Sequence, residues 1–285
     1  MKILITGYSG FFSKEFIDLV SSSKRIKLSC ISRKKKKSQN INFWRLDLSK
    51  KNLKNLPKDK FFDLIIHSSF IKMHKNSNDK LLEKNFNITK NFIKIIKQNR
   101  FKKIINLSST SVYPNINGKF SEKSEVNFFE NTDNVYGLSK YIAEKLFEIN
   151  IEINKLIHLR VANIIGNDND ESIISKMKKT LKKSNYIEIY GNRERIINLI
   201  HVKNLVKYIL LLANKNCYGA LNISDYSISI KNLANILIAK YGNNNSLIKY
   251  KKVYYNNPKF YINTSKFFKI LNIKKPKKNE LYNEI

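Results

Sequence analysis

The sequence predicts an α/β fold: a doubly wound, mostly parallel sheet with helices on both faces and a smaller C-terminal lobe. Three observations predict it. Short apolar runs of β type alternate with amphipathic stretches from residue 2 to about 163. A glycine turn follows the first run and opens the first helical pattern, in "ILITGYSGFFSKEF" at 3–16. The crossover from the first run to the second spans about 25 residues, a normal length for a right-handed βαβ unit.

The elements follow in order. "KILIT" (2–6) is the first strand, and "SKEFIDLVSS" (13–22) is a helix with apolar residues at 16, 17, 19 and 20 on one face. "IKLSCIS" (26–32) and "INFWRLD" (41–47) are the second and third strands; "FFDLIIHSS" (61–69), continuously apolar, is the fourth. "DKLLEKNFNITKNFIKIIKQN" (79–99) is a long helix with apolar positions at a period near 3.6. "KKIINLSS" (102–109) is the fifth strand, "YGLSKYIAEKLFEIN" (136–150) the next helix and "KLIHLRVAN" (155–163) the next strand.

Beyond residue 165 the rhythm weakens. A loop at 166–172 precedes a helix at 173–184; "LIHVKNLVKYILLLAN" (199–214) is an apolar helix with a short lead-in, and "GALNIS" (219–224) a short strand. Helices at 229–242 and 263–273 follow, with "KYGNNNSLIKYKK" and the tail as low-complexity loop. No internal repeat is visible. The expected division is a dinucleotide-binding domain of 1–166 plus about 196–224, and a lobe of about 167–195 plus 225–285.

Composition narrows the function class. The 285 residues are 42% hydrophobic, enough for a substantial core. No run approaches a membrane span, and the N-terminus enters a strand without a signal-peptide pattern, so a soluble, cytoplasmic protein is expected. Cys30 and Cys217 have no metal-ligand spacing and support neither a disulfide framework nor a metal site. The formal net charge is +32, from 54 Lys plus Arg against 22 Asp plus Glu. Such a charge can mark a nucleic-acid binder. Here the excess is Lys, spread along the chain beside abundant Asn and Ile, as coding DNA rich in A and T produces whatever the function. Nucleic acid is therefore not the expected partner, although "RKKKK" (33–37) and "KKPKK" (274–278) are dense clusters.

Three motifs carry chemistry. In the glycine turn, Gly7 permits the tight bend and Gly10 lets the backbone approach a pyrophosphate at the helix N-terminus, with small Ser13 in the third position. The same pattern also serves an ordinary strand–turn–helix. At the end of the second strand, where an acid would bind the ribose of NAD, stand Ser32, Arg33 and Lys34. Cations there favour NADP(H) over NAD(H). "YGLSK" places Tyr136 and Lys140 four apart, on one helix face. An ammonium beside a phenol stabilises the phenolate and makes an acid–base pair for a carbinol. The serine-rich turn "NLSSTSVYP" (106–114) closes the fifth strand, where open α/β sheets bind ligands, though such turns also satisfy their own backbone.

Together these motifs resemble the extended short-chain dehydrogenase/reductase family, also called the NAD-dependent epimerase/dehydratase family. "TGYSGFFS" resembles TGxxGxxG; "LDL" with Asp47 its adenine-contacting aspartate; "HSS" (67–69) its HxAA. "NFNITKNFI" from Asn85 resembles NVxGTxNLL, "SSTSVYP" SSxxVYG, and "YGLSK" YxxxK. "LRVANIIG" (159–166), "LIHVKNLV" (199–206) and "NTSKFFKILNIKKP" (263–276) resemble LRxxNVYG, FIHVDDVA and DxSKxxxxLGWxP. Ile88 and Pro114 replace glycines of the pattern, and Lys203 and Asn204 replace acids.

The resemblance implies a Rossmann-type fold with a substrate-binding lobe, a nucleotide-sugar substrate and a homodimer. It implies that Tyr136 is the catalytic acid–base, that Lys140 tunes it and holds the nicotinamide ribose, and that Ser109, four before Tyr113, is the catalytic hydroxyl. Ser108, Thr110 and Ser111 compete with Ser109 for that role. Gly7, Ser9, Gly10, Phe11 and Phe12 would cradle the pyrophosphate; Asp47 and Leu48 would meet the adenine side; Ser68 and Asn85 would border the cofactor. Thr110 and Asn163 would touch the sugar nucleotide. Ile197 stands where an arginine would contact the diphosphate, leaving Arg193 or Arg195 as substitutes, while Arg160 and His201 read as structural.

Thr110-Ser111 stand where the family's dehydratases carry Asp-Glu, which argues against 4,6-dehydration. An epimerase and a 4-keto-sugar reductase both stay open. So does a non-catalytic NADP(H)-binding or RNA-binding relative, against which the presence of Ser109, Tyr136 and Lys140 argues.

Overall fold

The computed structural model describes residues 1–33, 41–50, 53, 56–72, 79–127, 134–166, 172–253 and 258–285. Lys34 and most of the loop expected at 166–172 lie outside them. The chain runs β1 (Lys2–Thr6), α1 (Phe11–Ser21), β2 (Lys27–Ser32), β3 (Ile41–Arg45), β4 (Phe61–His67), α2 (Asp79–Lys97) and β5 (Arg100–Ser109). It continues through β6 (Gly118–Phe120), α3 (Asn134–Asn150), β7 (Leu156–Val161), β8 (Asn163–Ile165), α4 (Ile173–Ser184), β9 (Tyr186–Tyr190), β10 (Ile196–His201) and α5 (Val202–Leu212). It ends with β11 (Gly219–Ile223), β12 (Tyr226–Ser229), α6 (Ile230–Tyr241), β13 (Leu247–Lys251), β14 (Phe260–Ile262), α7 (Ser265–Leu271) and α8 (Leu281–Glu284).

Seven strands form one sheet in the order β11-β7-β5-β4-β1-β2-β3. Every pair in it is parallel, from Ile3 beside Leu28 and Leu64 to Leu221 beside Leu159. Because side chains alternate along a strand, Ile3 and Ile5 enter one core while Leu4 enters the other. The first core lies under α1, α5 and α7, through Phe16, Val206 and Phe267; the second lies under α2 and α3, through Phe92 and Phe147. Cover on both faces explains why the strands read as continuous apolar runs.

Chain order reverses between β1 and β4. The chain winds outward through β2 and β3, then returns to β4 and winds out the other way. Their C-terminal ends, Thr6 and His67, therefore open side by side, where open α/β sheets bind ligands.

A third core joins α4, α6, β9, β10 and β12 with Leu281 and Ile285 of the C-terminus. Ser172 caps α4 by accepting the Ser175 N–H at 3.1 Å, and Asn185 ends it at φ 56°. Two expectations change here. The lead-in before residue 202 is a strand, β10, held between β8 and β12. Part of the expected loop at 240–252 is β13, paired in parallel with β9. α7 packs into the first core through Phe267, Phe268 and Leu271. Among the described residues no helix is long and apolar enough to cross a membrane, and no group of three His, Cys, Asp or Glu could hold a metal.

Candidate active site

The site grows from the stitching of two strand ends. The Thr6 hydroxyl accepts the Ser68 N–H at 3.1 Å and the Ser69 N–H at 3.0 Å. With both acceptor directions used, its proton goes to His67 Nδ1, 3.1 Å away. That assigns the His67 proton to Nε2. Burial, with the nearby Lys140 charge, pushes His67 down to about 3, so it stays neutral. Ser68 Oγ donates to the Thr6 carbonyl, and Ser13 Oγ lies 2.8 Å from Ser68 Oγ. Ser13 is thus a bonded part of the turn as well as a small residue that fits it.

Gly7 sits at φ +79°, and a Cβ there would come within 3.0 Å of Ser69 N and 3.1 Å of the Ser68 carbonyl carbon. Only glycine fits. The Gly10 N–H closes the turn on Gly7 O at 2.9 Å, and Gly10 is the N-cap of α1. No side chain caps that helix and no acid stands in its first turn. Its N–H groups and dipole thus face a cleft with no built-in anion, a fit for a pyrophosphate.

The first cleft is lined by the turn residues Gly7, Tyr8, Ser9 and Gly10, by Ser32 and Arg33 after β2, and by Asp47, Leu48 and Ser49 after β3. Burial pushes the Asp47 carboxyl up, but the Ser49 hydroxyl and N–H, at 2.7 and 3.1 Å, and the Arg33 and Lys50 charges outweigh it and hold the carboxyl below its ordinary value. Ser68 also lines this cleft. Asn85 does not. Its side-chain amide clasps the Ile71 backbone, donating to the carbonyl at 3.0 Å and accepting the N–H at 2.8 Å. It shapes the wall after β4 from behind.

The second cleft, about 490 Å³, is the size of a small-ligand pocket. Phe11, Phe12, Ser109, Thr110, Tyr136, Lys140 and Asn163 line it, as do Ser172 and Ile173 at the start of α4. Lys140 is buried and donates to Leu107 O at 2.9 Å. Burial lowers its ammonium to about 7, against the raising charge of Glu144. Ser109 Oγ accepts the Ser111 N–H at 3.1 Å, capping the short turn Thr110–Val112. The Ser108 hydroxyl is committed elsewhere: it donates to buried Glu144 at 2.5 Å.

Behind the cleft, Glu144 holds Arg160, whose Nη1 donates to the Tyr113 hydroxyl at 2.8 Å; that hydroxyl donates in turn to Asn222 Oδ1 at 2.8 Å. His201 caps α5 by accepting the Lys203 N–H. Neither Arg193 nor Arg195 is among the residues lining the two clefts. The Arg193 guanidinium lies over the Tyr250 ring instead, at 5.9 Å, and Ile197 is buried in the third core.

The family model of the NAD-dependent epimerase/dehydratase family matches residues 3–224. This chain belongs to that family. Solved structures of nucleotide-sugar enzymes resemble this family member over nearly its whole length. UDP-N-acetylglucosamine 4-epimerase of Methanobrevibacter ruminantium, in complex with UDP-N-acetylmuramic acid, is 20% identical with a TM-score of 0.82, covering 99% of this chain and 95% of its own. A mutant UDP-glucuronic acid 4-epimerase of Bacillus cereus, in complex with UDP-4-deoxy-4-fluoro-glucuronic acid and NAD, is 19% identical with a TM-score of 0.81, covering 97% and 94%. dTDP-glucose 4,6-dehydratase of Bacillus anthracis, in complex with NAD, is 16% identical with a TM-score of 0.74, covering 97% and 92%. No curated protein matches the chain. At these identities the likeness is one of fold, so the preference for NADP(H) read from Arg33 gains no support from neighbours that hold NAD.

Two site residues of this epimerase/dehydratase-family chain were not legible in its sequence. Phe70, just past "HSS", borders both clefts. Glu144, four after Lys140, anchors Arg160; its i, i+4 spacing is a signal that could have pointed to it.

Proposed function

We propose that the chain is a nicotinamide-dependent enzyme that oxidises or reduces a carbon of a nucleotide sugar. One observation carries the reading: the cleft lined by Ser109, Tyr136 and Lys140 runs into the glycine-turn cleft through shared residues. A dinucleotide laid along both would have its pyrophosphate at the α1 N-terminus and its adenine end near Asp47. Bound there, it would supply the hydride donor or acceptor.

The chain's own residues would do the rest. The Tyr136 phenol takes the proton from the sugar hydroxyl during oxidation and returns it during reduction. The Lys140 ammonium favours the phenolate by its charge and holds the nicotinamide ribose. The Ser109 hydroxyl hydrogen-bonds the reacting oxygen. Asn163 and the start of α4 would border the sugar.

The names of the similar structures support an epimerase that keeps NAD bound. Arg33, exposed where β2 ends without a carboxylate, supports a reductase that takes NADPH. Titration of the purified chain with NADH and NADPH, after assay for co-purified cofactor, separates the two. Tyr136→Phe is expected to keep the fold and cofactor binding while turnover falls by about 10²–10⁴. Full activity in that variant overturns the acid–base assignment.

A further inference from the structure

Among the described residues, the two clefts share only Gly10, Ser68 and Phe70. Gly10 offers backbone and Ser68 a small hydroxyl. Phe70 offers a ring, half-buried, at the passage between them. Its centroid lies 3.9 Å from Lys140 Nζ, and its plane meets the Tyr136 ring edge to face at 5.4 Å and 89°. The ammonium has three donors; one is used on Leu107 O, and the aromatic face covers another side.

A ribose hydroxyl that accepts from Nζ must come within about 3 Å of it. The ring and the hydroxyl share one ammonium, and the ring at the passage narrows the approach to it. We propose that Phe70 sets the affinity for the nicotinamide half of the cofactor, its ring giving way at Lys140 for the ribose to enter. The inference rests on the reading of Lys140 as the ribose-holding residue. Only the fraction of molecules with the ring turned away is competent, so apparent affinity falls by that fraction. The adenylate half, gathered by Gly7, Arg33 and Asp47, carries no such constraint.

The test is calorimetric titration of wild type, Phe70→Leu and Phe70→Ala with NADH or NADPH, whichever wild type binds tighter, and with ADP. Circular dichroism and thermal melts verify the fold; leucine keeps most of the bulk without the aromatic face. The expected result is dinucleotide binding tighter by about tenfold in Phe70→Ala, with Phe70→Leu between it and wild type. ADP affinity stays within about twofold across all three, since the adenylate half escapes the constraint. A wild-type chain that binds dinucleotide, with an affinity that folded Phe70→Leu leaves unchanged or weakens, overturns this inference alone. A wild-type chain that binds neither dinucleotide overturns the cofactor reading, and this inference with it.

Discussion

Arg160 grips Glu144 through two parallel bonds, Nε to Oε1 at 3.0 Å and Nη2 to Oε2 at 2.7 Å, with both side chains buried. The pair ties β7 to α3, the helix that carries Tyr136 and Lys140. Glu144 Oε1 also accepts from Ser108, so the serine-rich turn hangs on the same carboxylate. Glu144→Ala leaves a buried guanidinium unpaired. Stability in urea melts is expected to drop by about 3–5 kcal/mol. A loss under 1 kcal/mol would mean that the pair does not organise the helix.

Lys140 is buried in the wall of the second cleft. Its ammonium titrates at about 7 when folded and near 10.4 when unfolded. Between those values the unfolded chain holds the extra proton, so this group's contribution to stability rises with pH from about 7 to about 10 and is lost below. Lys140→Met is expected to remove that slope and to raise stability near pH 7 by about 1 kcal/mol, while turnover disappears. Thermal melts at stepped pH values, with and without the substitution, check both.

The two glycines of the turn should respond differently. Gly7→Ala meets both a positive φ and a backbone contact at 3.0 Å. A loss of about 1–3 kcal/mol is expected in thermal melts. Gly10 has φ −74°, and a Cβ there would meet only Gly7 O, at 3.3 Å. Gly10→Ala should fold with near wild-type stability yet bind dinucleotide weakly, because the methyl takes space that the pyrophosphate needs. Calorimetric titration of both variants tests the contrast.

The C-terminus is docked beside two carboxylates. Burial pushes Asp225 up against the hydrogen bonds from Asn204, the His201 N–H and Tyr208, and the Glu284 charge adds to the rise. Burial raises Glu284 as well, with Glu280 adding, against Tyr226 and Asn204. Lys275 is the cation whose charge reaches Asp225. An acid with a raised folded value binds protons more readily in the folded chain. Its contribution to stability therefore falls as pH rises from the ordinary carboxylate range through the raised values. Glu284→Gln keeps an acceptor for Asn204 and removes one buried charge. Tm at pH 7.5 is expected to rise by about 2 °C, with slower amide exchange in 281–284. A lower Tm would mean that the charge itself holds the helix down.

Legibility differed between kinds of element. α4 was readable to its ends, since Ile174, Met177 and Leu181 face the third core at helical spacing and Ser172 caps it. β10 was read as the lead-in to a helix because a short apolar run of "IINLIH" does not reveal which partners hold it. β13 was read as loop: only one of its residues, Ile248, packs on the core, and its partner β9 lies some sixty positions earlier. At the site, Gly7, Asp47, Ser109, Tyr136 and Lys140 border the clefts; local spacing pointed to Gly7, Tyr136 and Lys140, and the family resemblance to Asp47 and Ser109. Asn85 reaches the cleft only through Ile71, and Arg193 turns to Tyr250. Both depend on neighbours far away in the chain.

The sequence by itself determined the fold class, the family and the order of the motifs. Each of those rests on local periodicity and on spacing along one chain. Tertiary structure alone decided that Phe70 stands over Lys140, that the Ser108 hydroxyl, in the wall of the second cleft, is spent on Glu144, and that Ser13 bonds Ser68. These contacts join strands and helices that meet only when the parallel sheet closes. Their geometry depends on crossovers whose two ends a linear reading holds apart.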